Sequence, residues 1–166
     1  MRRILALACA SLCWFAAPVF AELPAAEGRT ILTVSGSISE TNTESHAVFD
    51  RAMMEGLDWR EIETHTSFTD GVQRFAGPTL ASLLDAVGAK GANINATAVN
   101  DYTVQIPVAH ADAHNVILAM DHNGRTMRVR DKGPIWVVYP ISEKEAMKMP
   151  FDNEMIWQLD RIEVLN

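Results

Sequence analysis

The sequence predicts a mixed α+β domain, mostly sheet, with seven or eight strands and two or three short helices. Three observations predict it. Short runs of alternating or β-branched residues recur along the chain, one stretch carries a clear helical period, and strands and helices do not alternate in the regular βαβ manner of a parallel sheet. No internal repeat and no interdomain linker is visible, so residues 22–166 are expected to form one domain.

Residues 22–29 read as a loose N-terminal arm, and TILTVS at 30–35, ending at Gly36, reads as the first strand. Ser39–His46 is polar. Ala47, Val48, Met53 and Met54, with Gly56 as terminator, predict a helix of two to three turns. A second strand is expected over Trp59–Thr66, with Ile62, Thr64 and Thr66 on one face and Glu61, Glu63 and His65 on the other. Ser67–Pro78 reads as a long loop punctuated by Asp70-Gly71 and Gly77-Pro78. Thr79 is placed to cap a helix whose Leu80, Leu83, Leu84 and Val87 fall at i, i+3, i+4 and i+7 and which Gly88 closes. Strands follow at Ile94–Val99 and Tyr102–Ile106 around the polar turn Asn100-Asp101, then at Val116–Met120, and finally at Trp157–Leu165. Glu143–Asn153 is a charged, Met-bearing excursion before the last strand.

The stretch Asp121–Pro140 concentrates three signals. Asn123-Gly124 suits the two positive φ angles of a type I′ hairpin turn. A strand leaving near Thr126 is expected to alternate Met127 and Val129 with Arg128 and Arg130. Asp131-Lys132-Gly133-Pro134 breaks that ladder, and the wholly apolar run Ile135–Tyr139 suits a buried central strand.

The first twenty-one residues have the form of an export signal: Arg2-Arg3, an apolar core over Ile4–Ala17, and in Val19-Phe20-Ala21 the small residues at −3 and −1 that signal peptidase accepts. Cleavage near Ala21 and a periplasmic or secreted location are expected. The apolar run is too short to span a membrane, and none later in the chain approaches the roughly eighteen residues a span needs. Both cysteines, Cys9 and Cys13, lie in this leader, and too little apolar sequence precedes Cys9 for a lipoprotein anchor. The cleaved chain would hold no thiol, which closes off disulfides, thiolate nucleophiles and thiolate metal sites. Of 14 basic residues, removal of Arg2 and Arg3 leaves 12 against 21 acidic, a formal charge of −9. Nucleic acid and anionic membrane are poor partners for such a surface.

Taken in order, Phe75-Ala76-Gly77-Pro78-Thr79-Leu80 with Leu83-Leu84, Asn100-Asp101-Tyr102 with Ile106-Pro107, Leu118-Ala119, Asn123-Gly124 and Gly133-Pro134 with Val137-Val138-Tyr139-Pro140 form a pattern. This pattern, over about Ile31–Leu165, resembles the molybdopterin-binding domain of the sulfite oxidase family. The resemblance implies the sulfite-oxidase fold, a cysteine thiolate on molybdenum in the loop after the second strand, and basic residues, one of them an arginine near the later Gly-Pro, on the pterin phosphate. Here the comparable loop, Thr66–Gly71, has no cysteine, and Ile135-Trp136 stands where the arginine would be. Lys132, Arg128 and Arg130 are the cations left nearby. Hydroxyls do not replace a thiolate as soft ligands. Arg2-Arg3 sits in poor surroundings for the folded-export signal that loaded members use, so molybdopterin remains a cofactor by resemblance only.

The cleft implied by this resemblance is lined by Thr66, Phe68, Asp70 and Arg74, by Asn100, Asp101 and Tyr102, and by Asp131, Lys132 and Trp136. Tyr102 and Trp136 would offer flat apolar faces and the others directed polar contacts, the recipe of a small-ligand pocket. Competing with that, Trp136 and Tyr102 suit a core and Asp101 a turn. His110 and His114 would share one face if 108–115 were helical and are weak metal candidates; without the Glu of HExxH they do not suggest hydrolysis. Met147, Met149 and Met155 are either soft copper ligands or gap fillers. No phosphate-binding glycine motif and no Ser-His-Asp set stands out. The sequence thus favours a non-catalytic exported module binding a small ligand or an exported or membrane sensor protein. A molybdopterin oxidoreductase with an atypical site comes second, and a metal-handling protein third.

Overall fold

Strand β1 (Leu32–Gly36) buries Leu32 and Val34 and leaves Thr33 and Ser35 on the opposite face, the two-residue period of a half-wet sheet. The computed structural model describes residues 23–146, 148 and 151–166; the expected leader, Met147 and Met149 lie outside them. After β1 come β2 (Ala47–Phe49), α1 (Arg51–Glu55), β3 (Trp59–Thr64), β4 (Gln73–Pro78), α2 (Leu80–Ala86), β5 (Asn93–Ala98), β6 (Thr103–Pro107) and α3 (His110–Ala113). The rest are β7 (Ile117–Ala119), β8 (Asp121–His122), β9 (Arg125–Thr126), a 3-10 turn at Val129–Asp131, β10 (Trp136–Val138), α4 (Glu143–Ala146) and β11 (Leu159–Leu165).

These strands form a five-stranded sheet in the order β2-β1-β11-β5-β6, a four-stranded sheet β3-β4-β8-β9, and the pair β10-β7. Only β1 and β11 run parallel; all other pairs among the described residues are antiparallel. The expected mostly-β α+β fold is therefore present, in shorter pieces: eleven strands and four helices among the described residues.

The wholly apolar strands have a simple cause. The pair β7-β10 lies between two hydrophobic cores, and its two-residue period deals side chains to each in turn. Val116, Leu118 and Met120, with Ile135, Val137 and Tyr139, enter the large core with Leu80, Leu83 and Val87 of α2 and the inner face of the five-stranded sheet. Ile117, Ala119, Trp136 and Val138 enter the small core with Phe75 and Met127. α2 starts as the sequence predicts, with Thr79 Oγ1 accepting from the Ser82 N–H at 3.2 Å. The Asn123-Gly124 turn has φ of 50° and 73°, both positive as type I′ requires.

Four local expectations are corrected. Ala47–Phe49 is an edge strand and not the start of a helix: the Asn42 side chain pairs with both the N–H and the C=O of Val48, and helix begins only after Asp50. The loop predicted to reach Pro78 ends at Val72, because Gln73–Pro78 pairs with β3 along its whole length and with β8 at its centre. The strand expected over Thr126–Arg130 stops at Thr126, and Val129 is exposed. The N-terminal arm is tied down, with the Glu27 and Gly28 N–H groups donating to Asp50 Oδ2 at 3.0 and 2.7 Å and Leu23 packed on the large core.

Asp50 also caps α1 through its Oδ1, which accepts from the Met53 N–H at 2.9 Å. The Met53 and Gly28 amides hold its carboxyl below the usual carboxylate range. A depressed folded value adds stability above the unfolded pKa, about 4, and that stability is lost as pH falls through the folded value. Asp50→Asn is therefore expected to lower the urea midpoint at pH 7, with the gap to wild type narrowing below about pH 4. A gap independent of pH would show that the carboxylate charge is not what these amides bind.

Candidate ligand-binding site

Three loops meet at one end of the sheets, and Gln158 ties them together. Its N–H donates to Lys132 C=O at 3.0 Å, its Nε2 donates to Val129 C=O at 2.8 Å, and its own C=O accepts from the Val99 N–H at 2.9 Å. A fourth loop, residues 65–72, is fastened by Lys132, whose Nζ donates to Phe68 C=O at 3.1 Å. Asp101, Lys132 and Gln158 all have left-handed backbone, with φ of 66°, 72° and 56°. Such conformations in non-glycine residues persist only where surroundings impose them, and they gather at binding and switch regions.

The centre of this arrangement is aromatic. Lys132 Nζ lies 4.4 Å from the Trp136 ring centroid, 5.1 Å from Trp157 and 5.6 Å from Phe68, a cation held on three ring faces. Phe68 meets Trp157 edge-on at 5.0 Å, and Trp136 meets Trp157 edge-on at 6.1 Å. Burial pulls the Lys132 ammonium below its ordinary pKa. Beside the cage opens a cavity of about 420 Å³, walled by Phe68, Tyr102, Met155 and Trp157, with Asn100, Asp152 and Asn153 supplying polar atoms.

The expected cleft residues divide between this cavity and its surroundings. Phe68, Asn100 and Tyr102 line it, and Lys132 does not but packs its ammonium on two of the wall rings, Phe68 and Trp157. Trp136 does not face it: at 1 % exposure it is a core residue whose Nε1 donates to Met155 C=O at 3.0 Å. Thr66 is buried, its hydroxyl bonded to that of Thr69 at 2.8 Å. Asp101 is at the turn paired with Arg161, and Asp131 is paired with Arg128 at 2.8 Å. Arg74 belongs to the β4–β8 hairpin region, where its N–H donates to Asn123 Oδ1 and its guanidinium faces Glu61 at 3.6 Å. The Asp70 C=O accepts from the Gln73 side chain. Asp70 and Arg74 are not among the cavity walls.

Sequence reasoning missed Trp157, Asp152 and Asn153. Trp157 reads locally as the first residue of the last strand, and only the bridge to Trp136 turns it into a wall of the cage. His122 was also missed as part of this region. It stacks on Phe75 at 4.7 Å and bonds Gln73 Oε1 through Nε2 at 3.0 Å; burial, then the Lys132 charge, lowers its pKa and favours the neutral ring.

The two remaining metal candidates, His110 and His114, do lie together, ring centroids 4.8 Å apart at 88°. They pack against Tyr139 and Phe151, and His110 Nδ1 bonds the Tyr139 hydroxyl at 3.1 Å. Burial, with the charge of Glu154, raises the Tyr139 pKa. No group of three or more His, Cys, Asp or Glu side chains suited to a metal occurs among the described residues. Met155, the third methionine candidate, is buried in the large core.

The donor set also bears on molybdopterin. The loop after β3 offers hydroxyls already bonded to one another, and no sulfur ligand. Of the neighbouring cations, Lys132 is held on the aromatic rings and Arg128 and Arg130 face Asp131. The residues present therefore do not fit the cofactor in the manner the resemblance implies.

The model of the oxidoreductase molybdopterin binding domain matches residues 29–147. Among solved structures, the chain is similar to the crystal structure of the sulfane dehydrogenase SoxCD from Paracoccus pantotrophus, with 18% identity and a TM-score of 0.59. The match covers 81% of this chain and 37% of that one, so this protein spans well under half the length of its structural relative. No curated protein sequence matches it. A likeness at that identity speaks for the fold, a sulfite-oxidase-like arrangement of short strands, and the domain match reaches from before β1 to beyond the start of α4. The chain belongs to the oxidoreductase molybdopterin binding domain family.

Proposed function

We propose that this protein is an exported, non-catalytic binding or sensory module that takes a small ligand, or an exported or membrane sensor protein, in the region its family uses for cofactor. The observation that supports this reading is the loop after β3, in which the resemblance expects a thiolate: it has no cysteine, and its Thr66 and Thr69 hydroxyls bond each other. Export is supported by the leader-like residues 1–21, whose removal takes both cysteines with it.

The test is molybdenum and pterin analysis of the protein purified from its own exported fraction. Neither should be present, the N-terminus should lie near residue 22, and no sulfite- or sulfoxide-directed turnover should follow added cofactor. Near-stoichiometric molybdenum with pterin would overturn the proposal. So would cofactor-dependent turnover abolished by Thr66→Ala or Lys132→Ala, which would establish an oxidoreductase with an atypical ligand set.

A further inference from the structure

We propose that the cavity beside Trp157 binds an organic cation, an amine or quaternary ammonium carried on an apolar body. The assignment rests on reading this region as a ligand site and names the ligand class. At about 420 Å³ the cavity suits a small organic molecule. Three of its walls are the rings of Phe68, Tyr102 and Trp157, and among the described residues its one side chain charged at neutral pH is the carboxylate of Asp152. Among the described residues no lysine or arginine lines it.

Ring faces attract cations through the aromatic quadrupole, most strongly in indole. The protein already uses this attraction, since Lys132 holds its ammonium on Phe68, Trp136 and Trp157. Tyr102 and Trp157 are 54 % and 37 % exposed, so aromatic surface remains open to solvent where the cavity lies. An incoming anion would meet Asp152 and no wall cation. A neutral ring would gain the stacking but leave the carboxylate without a part. The formal charge of −7 over the whole sequence also raises the local concentration of cations.

The charge of Lys132, 5.1 Å from the Trp157 ring, opposes a second cation, but its Nζ also fastens the loop that carries Phe68, so the test leaves Lys132 unchanged. The experiment titrates the purified protein with benzyltrimethylammonium, benzyl alcohol and benzoate, following the ¹⁵N-labelled indole resonance of Trp157. Benzyltrimethylammonium should give a saturable shift and bind at least about tenfold more tightly than the alcohol. Asp152→Asn and Tyr102→Leu should each weaken it by about three- to tenfold.

Absence of a saturable shift, preference for benzoate, equal binding of benzyl alcohol, or indifference to Asp152→Asn would each overturn the assignment. With the protein free of molybdenum and pterin, such a failure removes the cation class and leaves the binding module standing. Molybdenum with pterin in the purified protein removes the module reading and this assignment with it.

Discussion

Replacing Trp136 with alanine is expected to lower stability by about 3–5 kcal/mol, the range for a fully buried aromatic side chain. The ring meets Phe75 edge-on at 5.2 Å and fills the small core with Ile117, Ala119, Met127 and Val138. Its Nε1–H is the donor to Met155 C=O, and truncation would leave that acceptor without its partner in the interior. One ring face also carries the Lys132 ammonium at 4.4 Å, so the loss should loosen Lys132 and, through it, the loop at Phe68. Urea unfolding of the purified protein measures the effect. A loss below about 1 kcal/mol, accompanied by weaker ligand binding, would return Trp136 to the cleft role that the sequence suggested.

Gly77→Ala should cost about 3 kcal/mol, the upper part of the range for overpacking a close contact. A methyl group built on Gly77 would run into the backbone of Leu118, where β4 passes β7, and backbone cannot swing aside as a long side chain can. The two strands are held at that distance by the Met120 N–H, which donates to Ala76 C=O at 2.8 Å, and by the Thr79–Ile117 bridge. Gly71 is the control. Nothing lies within 4 Å of its missing Cβ, and its φ of +65° leaves only the left-handed backbone penalty, about 1 kcal/mol for alanine. Equal losses at the two positions, measured as urea midpoints, would mean that β4 and β7 are not packed as closely as described.

These two residues show why parts of the chain were legible and others were not. Gly77 beside Pro78 looks like a loop signal, because the same residue types serve a turn and a close strand crossing. Only the approach of β7 decides between them. Trp136 lies in an apolar run that rightly announced a buried strand, but burial on both faces erases the alternation that would have said which neighbours each side chain meets. The edge strand at Ala47–Phe49 was misread for a related reason: three residues carry too little period to separate strand from helix, and the Asn42 pairing that fixes them is a contact across a loop.

Local chemistry is what the sequence determined by itself. Thr79 caps a helix because a hydroxyl can satisfy a free amide three residues on. Asn123-Gly124 makes a type I′ turn because both residues tolerate positive φ. Ordered along the chain, such signals were enough for the mostly-β class and the family. The candidate site was decided by tertiary structure. Phe68, Tyr102, Lys132 and Trp157 come from four separate stretches; Gln158 bonds its own loop to two of the others, and Lys132 fastens the one that carries Phe68. A cage built from residues so far apart in sequence leaves no mark in any one segment. Its geometry follows from which loops the sheets set side by side.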